Sequence, residues 1–546
     1  MKKSIVTVML AFLLGGTVCL SGCGLGEHRT NYDPNKKQVI IGLMQGDLGR
    51  AWLDEIAANY IKDNPGTEVI IDVKSADYNN NNLQDSIAVS GKDLFLVNDI
   101  YLRDFVAQDL VADITDVVTE KDENGRSIAS SINNDLLRDA FQINGKYYGL
   151  PYFTTSFGIV YDVDLFESKN LYYNEDATGF VTSPQQTRSP GPDGDPATVE
   201  DNGLPATYSQ FSRLLVEMRR QNIIPFDWCG KSVYYQQRML ASWWADYEGA
   251  ENFNLNMTFD GNYTFPVNTL TESEVSKWNA VVNQDGTQTV KITNENAFLL
   301  QRQPGKKYGI QLAYDIMSNT KNYASNAPSP SQTNIMAQDE YLNSIDTDNP
   351  IAFLPEGGWW ENGARATFDK MAVDNEKYAY GVRRFATLPV PKADDGSSAE
   401  GRTLFVGGTR SSVIVNKKAT HPELALDFLK YMHSEESMNI FLKHTGVARP
   451  YNYELDPKVY ESLTYFQKEQ YDLMNDGETE FAYFDLSTNP LRLGNIAYFN
   501  NWLWTSKLKQ TWYDPISAFY NDQKITVDEY FKGMSDYYSG NWPSIK

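Results

Sequence analysis

The chain has 546 residues, with 48 Lys and Arg against 71 Asp and Glu, and 41% of its residues are hydrophobic. This length is enough for two or three domains with cores of their own, so disorder is excluded as a description of the whole chain. The net charge of −23 argues against nucleic-acid binding, because that binding depends on clustered Lys and Arg. Aromatic residues reach 13%, more than core filling usually needs, which indicates ring surfaces that contact ligands.

The N-terminus predicts a lipoprotein signal peptide. Two lysines precede an apolar run, and residues 20–23 have the sequence Leu-Ser-Gly-Cys, which resembles the bacterial lipobox. A membrane-anchor helix is the alternative for this run. In a lipobox the cysteine is diacylated after cleavage, so we expect removal of residues 1–22 and a lipid anchor on Cys23. A polar tether over residues 23–36 follows, and the folded part is expected to begin near Lys37.

Cysteine and histidine content predicts neither disulfides nor a metal site. With Cys19 in the signal peptide and Cys23 acylated, Cys229 has no partner, and the four histidines are widely scattered. Residues 170–205 are rich in Pro, Gly, Asp and Thr and predict a surface insertion loop. Its acidic residues could hold calcium, but they lack EF-hand spacing, so a solvated loop is favoured. We therefore expect no cofactor.

The first part of the folded region alternates between strands and helices. The predicted elements are a strand at 39–44, a helix at 50–62, a strand at 68–73, a helix at 83–90 and a strand at 94–97. This order predicts an α/β fold that begins as a doubly wound parallel sheet. Ligands of such sheets bind beyond the carboxyl ends of the strands, which makes candidates of Gln45, Asp47, Asn98 and Asp99. On position alone, polar turn residues are an equally good interpretation.

Two later helices are predicted from capping residues. Thr207 and Gln210 form a capping-box pattern ahead of an apolar helical face. Thr420 and Glu423 form another, with Pro422 in the first turn of the helix. Both helices are interpreted as scaffold.

Four sequence blocks carry a resemblance to a known family. They are residues 92–96 (KDLFL) continuing to 110–115 (LVADIT), residues 144–151 (NGKYYGLP) continuing through 161–166 (YDVDLF), residues 355–359 (PEGGW) followed by 388–391 (LPVP), and Gly407-Gly408 with the strand 413–415. These blocks resemble, in order, the extracellular solute-binding proteins of ABC importers, the family typified by maltose-binding protein. The resemblance covers residues 37–450, and residues 451–546 match only as helical and aromatic sequence.

The resemblance implies a two-lobe periplasmic-binding-protein-like fold, with hinge strands between the lobes and a ligand in the interlobe cleft. The strands would cross between the lobes at Tyr152–Ile159 and near Phe385–Pro391. The implied division is lobe 1 at residues 37–154 plus about 388–435, and lobe 2 at about 155–387 plus 436–546, with the loop insertion at 170–205.

Two tryptophan pairs are candidates for contact with a sugar ring. Trp359 matches the family position where a Trp stacks on the sugar, and Trp360 follows it directly. We expect one of these two side chains to stack on the ligand and the other to pack in the core. The second pair is Trp243-Trp244, for which core packing is slightly favoured, although Trp243 is kept as a candidate.

Three further candidates come from the segments that the resemblance singles out. Tyr152 and Thr155 lie in the first crossing, and Gly407 lies in the fourth block. Thr155 stands where the maltose-binding member of the family carries a carboxylate, so the resemblance does not imply maltose as the ligand.

We expect a lipid-anchored, extracellular binding protein that captures a carbohydrate and delivers it to the permease of an ABC importer. An oligosaccharide is the favoured ligand because of the high aromatic content. The protein is expected to be a monomer that performs no catalysis. A receptor for peptides or another solute is the nearest alternative, because it would share the anchor and the lobes. A surface glycoside hydrolase is less favoured. A hydrolase needs two carboxylates at the right separation. Among 71 acidic residues such a pair can always be proposed, so its presence is no evidence for catalysis.

Overall fold

The computed structural model describes residues 36–74, 80–98, 100–408, 411–483, 503–522 and 524–546. The predicted signal peptide, Cys23 and Asp99 lie outside the described residues. Among those described, no helix combines the length and apolar character needed to cross a membrane.

The strands are named in chain order. They are β1 Lys37–Leu43, β2 Thr67–Val73, β3 Leu94–Val97, β4 Gln142–Ile143, β5 Lys146–Tyr147, β6 Leu150–Pro151, β7 Thr155–Asp162, β8 Ile224–Phe226, β9 Gly261–Phe265, β10 Val281–Val282, β11 Gln288–Ile292, β12 Ile351–Gly357, β13 Phe385–Thr387, β14 Thr403–Gly407, β15 Ser412–Val415, β16 Glu480–Tyr483, β17 Ser506–Leu508 and β18 Thr511–Tyr513.

The α-helices are named in the same way. They are α1 Ala51–Asp63, α2 Asn80–Ser86, α3 Leu102–Ala107, α4 Thr115–Thr119, α5 Ile128–Ser131, α6 Asp135–Ala140, α7 Val163–Ser168, α8 Tyr208–Arg220, α9 Val233–Glu248, α10 Ala250–Thr258, α11 Glu272–Trp278, α12 Pro304–Met317, α13 Asn334–Asn343, α14 Trp360–Gly363, α15 Arg365–Asp374, α16 Pro422–Tyr431, α17 Glu435–Thr445, α18 Pro457–Ser462, α19 Tyr465–Leu473, α20 Pro515–Asn521 and α21 Val527–Ile545.

The first lobe is built on a five-stranded sheet with the order β2-β1-β3-β15-β6. β1 runs parallel to both β2 and β3, so the predicted start of a doubly wound sheet is confirmed. Helix α1 buries Trp52, Leu53, Ile56 and Tyr60 on one face. This is the apolar spacing from which the helix was predicted, because residues three and four apart lie on the same side of a helix.

The second lobe contains a sheet with the order β16-β14-β7-β12-β8, and β13 also pairs with β7. β7 is buried along its whole length and runs antiparallel to β12, β13 and β14. A smaller sheet, β10-β11-β9, belongs to the same half of the chain. The C-terminal helix α21 packs against α12 there.

Two short connections lead from a strand of one sheet to a strand of the other. β6 lies in the first sheet and leads into β7 of the second, as expected for the first crossing. The return differs from the expectation. Phe385 in β13 pairs with Asp162 in β7, so the segment near 385–391 still belongs to the second sheet. The return passage lies instead between Gly407, which pairs with Thr155, and Ser412, which pairs with Val97.

The tail after α16 also departs from the expected boundary at residue 436. Helix α17 packs on α1 of the first lobe, where the Phe441 and Trp52 rings lie 4.8 Å apart. His444 and Glu55 hold the same helix pair at its surface, with 2.6 Å between Nε2 and Oε2. Helix α19 instead contacts β13 of the second lobe. The tail therefore runs from the first lobe to the second between α18 and α19.

One of the two predicted capping patterns forms in part. The Thr207 side chain accepts a hydrogen bond from Gln210 N and begins α8. The return half of the box does not form, because Gln210 Oε1 accepts from Ala206 N instead of Thr207 N. At α16 the prediction is wrong, because the N-cap residue is His421 and makes no side-chain cap. The carboxylate of Asp93, the residue before β3, accepts from Thr420 N at 2.8 Å instead.

The 170–205 segment is a loop that folds back onto the second lobe. Its buried Tyr172 lies under the Arg188 guanidinium, 3.6 Å from the ring centroid. Its acidic side chains hold its own turns, since Asp193 accepts from Asp195 N and Asp195 accepts from Ala197 N, both at 2.8 Å. The described part of the chain contains no group of three or more His, Cys, Asp or Glu arranged to hold a metal ion.

Candidate functional site

The two lobes meet where the chain leaves β1 and where it leaves β12. Asn362 Nδ2 in α14 donates a hydrogen bond to the Asp47 carbonyl oxygen across this junction, at 2.6 Å. A methyl group at Gly363 would lie 3.1 Å from the Asp47 side chain, so the end of α14 packs closely against that side chain. The carboxyl end of β1 therefore faces the second lobe, as the strand-end rule predicts for a ligand site.

Trp359 lies at this junction, directly after the Gly357-Gly358 turn. Its side chain is 9% exposed, and its ring centroid lies 6.0 Å from that of Phe157 in β7. A methyl group at Gly357 would approach the indole to 2.7 Å, and one at Gly407 to 3.4 Å. Glycine at both positions leaves room for the ring, and the indole lies close to the Glu356 carboxyl group. Ligand stacking by Trp359 stays a prediction.

Trp360 points the other way and is removed from the candidate site. Its side chain is 0% exposed and lies in the core of the second lobe. Its ring packs against those of Tyr341, Phe368, Phe385 and Phe466, at centroid distances of 5.0 to 6.2 Å. Adjacent residues at a helix start project in different directions, which separates the roles of the two tryptophans.

Trp243 is also a core residue. It is 1% exposed and packs edge-on against Phe211 at 4.9 Å and Tyr208 at 5.7 Å. Its neighbour Trp244 packs against Phe253 and Trp504. The Trp243 candidate is therefore corrected to the core-packing interpretation, because its neighbours in the second lobe cover the indole.

The first lobe contributes polar groups from the ends of β1 and β3. Asn98 is half-buried, and its Oδ1 accepts a hydrogen bond from the buried Tyr152 hydroxyl at 2.6 Å. A methyl group at Gly46 would lie 4.0 Å from Asn98 Nδ2, which places Asn98 beside the Asp47 loop. Tyr152 thus orients Asn98, and the partly buried Gln45 begins the same loop.

Thr155 and Gly407 lie on the side of the second lobe. The two residues pair across β7 and β14, and both are buried. Thr155 Oγ1 sits beneath the turn, since a methyl group at Gly358 would come within 2.1 Å of it. Thr155 therefore supports the turn, whereas Gly407 borders the Trp359 ring.

Two carboxylates approach the junction, one from each lobe. Glu356 is buried, and its Oε1 accepts a hydrogen bond from Gln338 Nε2 in α13 at 3.0 Å. Burial and the nearby Asp47 charge raise the pKa of Glu356 to about 8. Burial raises the pKa of Asp47 as well. Removing water from a carboxylate disfavours its charged form, and a second negative charge adds to the effect.

Helix α9 supplies an aromatic and cationic wall that the sequence analysis missed. The rings of Tyr234 and Tyr235 lie 6.2 Å and 6.1 Å from that of Phe157. The Arg238 guanidinium stacks on Tyr234 at 3.5 Å, and a methyl group at Gly407 would lie 3.1 Å from Arg238 Nη1. The site thus combines ring faces, carboxylates, an amide and a guanidinium, the groups that bind a polar, hydroxyl-bearing solute.

The sequence around Glu356 contains a feature that indicates a functional carboxylate. Glu356 is a charged residue within a strand that is buried along its whole length, in the block PEGGW already noted for Trp359. A buried carboxylate beside a cleft is a candidate functional group, because burial is costly for a charge unless the group has a task or a partner. Arg238 carried no comparable signal, since helical spacing alone does not indicate where its face packs.

The pKa of Glu356 gives a prediction for stability. Because this pKa is raised from 4.5 to about 8, Glu356 contributes stability that is complete below pH 4.5 and is lost as the pH rises through 8. Glu356→Gln resembles the protonated acid and does not lose this stability. The free energy of unfolding of the variant minus that of the parent should therefore increase by about 1.4 kcal/mol for each unit of rising pH within this window. Denaturant titrations at pH 5, 6.5 and 8 measure the difference.

The exposed Glu123 provides the matched control. Glu123→Gln should follow the parent at all three pH values. A constant difference between Glu356→Gln and the parent from pH 5 to 8 would show that Glu356 stays ionised in the folded protein.

Two α/β lobes, joined by crossing strands and meeting at a polar and aromatic cleft, define a two-lobed solute-binding protein. Residues 45–439 match the model of the bacterial extracellular solute-binding protein family. The chain belongs to this family, as the resemblance of its four sequence blocks predicted. A search of curated protein sequences found no match.

Solved structures confirm the two-lobe fold. A chitin oligosaccharide binding protein is 14% identical with a TM-score of 0.55, covering 93% of this chain and 100% of its own. A structure reported for xylan utilization by the thermophilic bacterium Caldanaerobius polysaccharolyticus is 13% identical with a TM-score of 0.56, covering 92% and 99%. RafE in complex with raffinose is 14% identical with a TM-score of 0.50, covering 91% and 99%.

Proposed function

We propose that this protein captures a carbohydrate in the interlobe cleft and delivers it to the permease of an ABC importer. The observation that carries the proposal is the position of Trp359 on the second lobe beside the junction, with its indole against Phe157 and close to the Glu356 carboxyl group. A sugar offers an apolar C–H face and a rim of hydroxyls, so its site needs a ring surface with hydrogen-bonding groups at the edge.

We infer that the ligand is an oligosaccharide rather than a single sugar, from the number of aromatic side chains near Trp359. Tyr234 and Tyr235 extend the ring surface beyond Trp359 along α9, and Asn98 and Asp47 provide polar groups on the opposite lobe. Each additional sugar ring would gain a further aromatic contact and further hydroxyl partners. Two of the similar structures carry chitin oligosaccharide and raffinose in their names, which supports the same class of ligand at low identity.

A thermal-shift panel tests the proposal. Raffinose, chito-, xylo- and malto-oligosaccharides are added singly to the purified soluble part of the chain, with a tripeptide as the control solute. A ligand at 100 times its Kd adds about 2.7 kcal/mol to stability, so at least one glycan should raise the Tm clearly. Stabilisation by the peptide and by none of the glycans would replace carbohydrate with peptide as the ligand class.

The lipid anchor is tested by labelling with radioactive palmitate in a bacterial host. The parent chain should carry the label, and Cys23→Ala should lose it, because the acyl chains attach to that residue in a lipobox. Cys229→Ala is the matched control and should keep the label, since Cys229 is buried in the second lobe. A Cys23→Ala variant that remains labelled would contradict the lipobox interpretation.

A further inference from the structure

Helix α19, in the C-terminal tail, places a polar side chain beneath the binding-site turn. Gln470 on this helix is 4% exposed. A buried amide without hydrogen bonds is costly, so such a group stays where its partners fix it. The partners of Gln470 therefore indicate which parts of the lobe it holds together.

The Gln470 amide joins two strands of the second lobe. Its Oε1 accepts a hydrogen bond from the Ser156 hydroxyl of β7. Its Nε2 donates to Thr387 Oγ1 of β13 at 2.8 Å and to the neighbouring Glu469 Oε2 at 2.7 Å. Both donors and the acceptor are thus used, and the side chain is held at a defined position.

The same amide borders the turn that carries Trp359. Gly358 N donates to the Ser156 carbonyl oxygen at 3.1 Å. A methyl group at Gly358 would lie 2.9 Å from Gln470 Oε1 and 2.1 Å from Thr155 Oγ1. The turn is therefore confined between Thr155 and Gln470, and the next residue along the chain is Trp359.

We propose that Gln470 is a positioning residue for the ligand site: it supports the Gly358 turn from below and thereby fixes the Trp359 indole against Phe157. The effect on binding rests on the proposed carbohydrate function, whereas the effect on the indole does not. Without the amide, the Ser156 hydroxyl loses its partner, and β7 is held less firmly at the residue whose carbonyl oxygen accepts from Gly358 N. The turn, and with it the indole, is then free to leave its position against Phe157.

The variants separate positioning from general stability. Gln470→Met keeps the length and volume of the side chain and removes the amide. Ser156→Ala removes the same hydrogen bond from the opposite side with a smaller change. Gln467→Met is the matched control, because Gln467 lies one turn earlier on α19, is 6% exposed, and bonds Thr464 N and the Tyr380 hydroxyl rather than the turn.

The test is fluorine NMR of the chain labelled with 5-fluorotryptophan, which needs no ligand. The Trp359 resonance is assigned with Trp359→Phe, and the Trp243 resonance with Trp243→Phe. Gln470→Met and Ser156→Ala should both shift or broaden the Trp359 resonance and leave Trp243 unchanged, while Gln467→Met should move neither. An unmoved Trp359 resonance in both of the first two variants would overturn the proposal, and so would an equal change in Gln467→Met.

If Gln470→Met does not fold, the chemical shifts of all its tryptophan resonances will converge. The Trp359 resonance of Ser156→Ala then provides the test on its own. The oligosaccharide that stabilises the parent most in the panel is next titrated into each variant. Gln470→Met should weaken its binding by up to about tenfold, with Gln467→Met equal to the parent. If no glycan binds the parent, the proposed function is wrong. The fluorine spectra still test the role of Gln470, because they require no ligand.

Discussion

Replacing Trp359 with Ala is expected to weaken oligosaccharide binding about thirtyfold, which corresponds to roughly 2 kcal/mol. The indole lies at the junction of the lobes, and only 9% of its surface remains exposed in this arrangement. Its removal would take away the ring surface beside Phe157, next to the Glu356 carboxyl group. A ring face and a carboxyl group thus lie at the same point, where a sugar can use them together.

Calorimetric titration with the best glycan of the panel and thermal unfolding should be performed on the same preparations. Trp359→Phe is the matched variant, because it keeps a smaller ring, and its affinity should fall between those of the parent and Trp359→Ala. Equal affinity of the parent and Trp359→Ala would remove Trp359 from the site and shift the ring contact to Tyr234 or Tyr235 of α9.

The start of the first lobe could be predicted from local patterns. β3 has the predicted bounds, and α1 begins and ends one residue after the prediction. Both elements are determined by residues close in sequence: a short apolar run between turns for the strand, and apolar side chains three and four apart for the helix. The cap of α8 by Thr207 is equally local and formed as predicted.

The second half of the fold depended on pairings that the sequence does not display. β13 has three residues, and only its pairing with β7, more than two hundred residues earlier, places it in the second sheet. The tail was similar: α17 and α19 are both amphipathic, and their patterns do not indicate that one packs on the first lobe and the other on the second. The apolar face of a helix predicts burial without identifying the partner.

The candidate site was predictable where a rule linked sequence position to geometry. The residues after β1 and β3 lie beside each other, because parallel strands end at the same edge of a sheet. No such rule separates Trp359 from Trp360 or Trp243, since burial of an indole depends on neighbours from distant segments. Gln470 shows the same difficulty, as its partners Ser156 and Thr387 precede it by 314 and 83 residues.

Trp360→Ala is expected to lower stability rather than ligand affinity, the opposite of Trp359→Ala at the adjacent position. The Trp360 ring is 0% exposed and is surrounded by four aromatic rings of the second lobe. Truncation of a buried aromatic side chain leaves a cavity that its neighbours fill only in part, which costs about 3 to 5 kcal/mol. The free energy of unfolding of the second lobe should fall by this amount, with a lower denaturant midpoint and an earlier thermal transition.

The comparison of the two tryptophans determines which part of the molecule each one serves. At a temperature well below its transition, Trp360→Ala should retain most of its glycan affinity, because its indole has no surface in the cleft. Trp360→Phe, which fills part of the space, should recover a large share of the lost stability. A loss of unfolding free energy below about 1 kcal/mol in Trp360→Ala would contradict the core role. Truncation of a buried aromatic side chain in a well-packed core costs more than that.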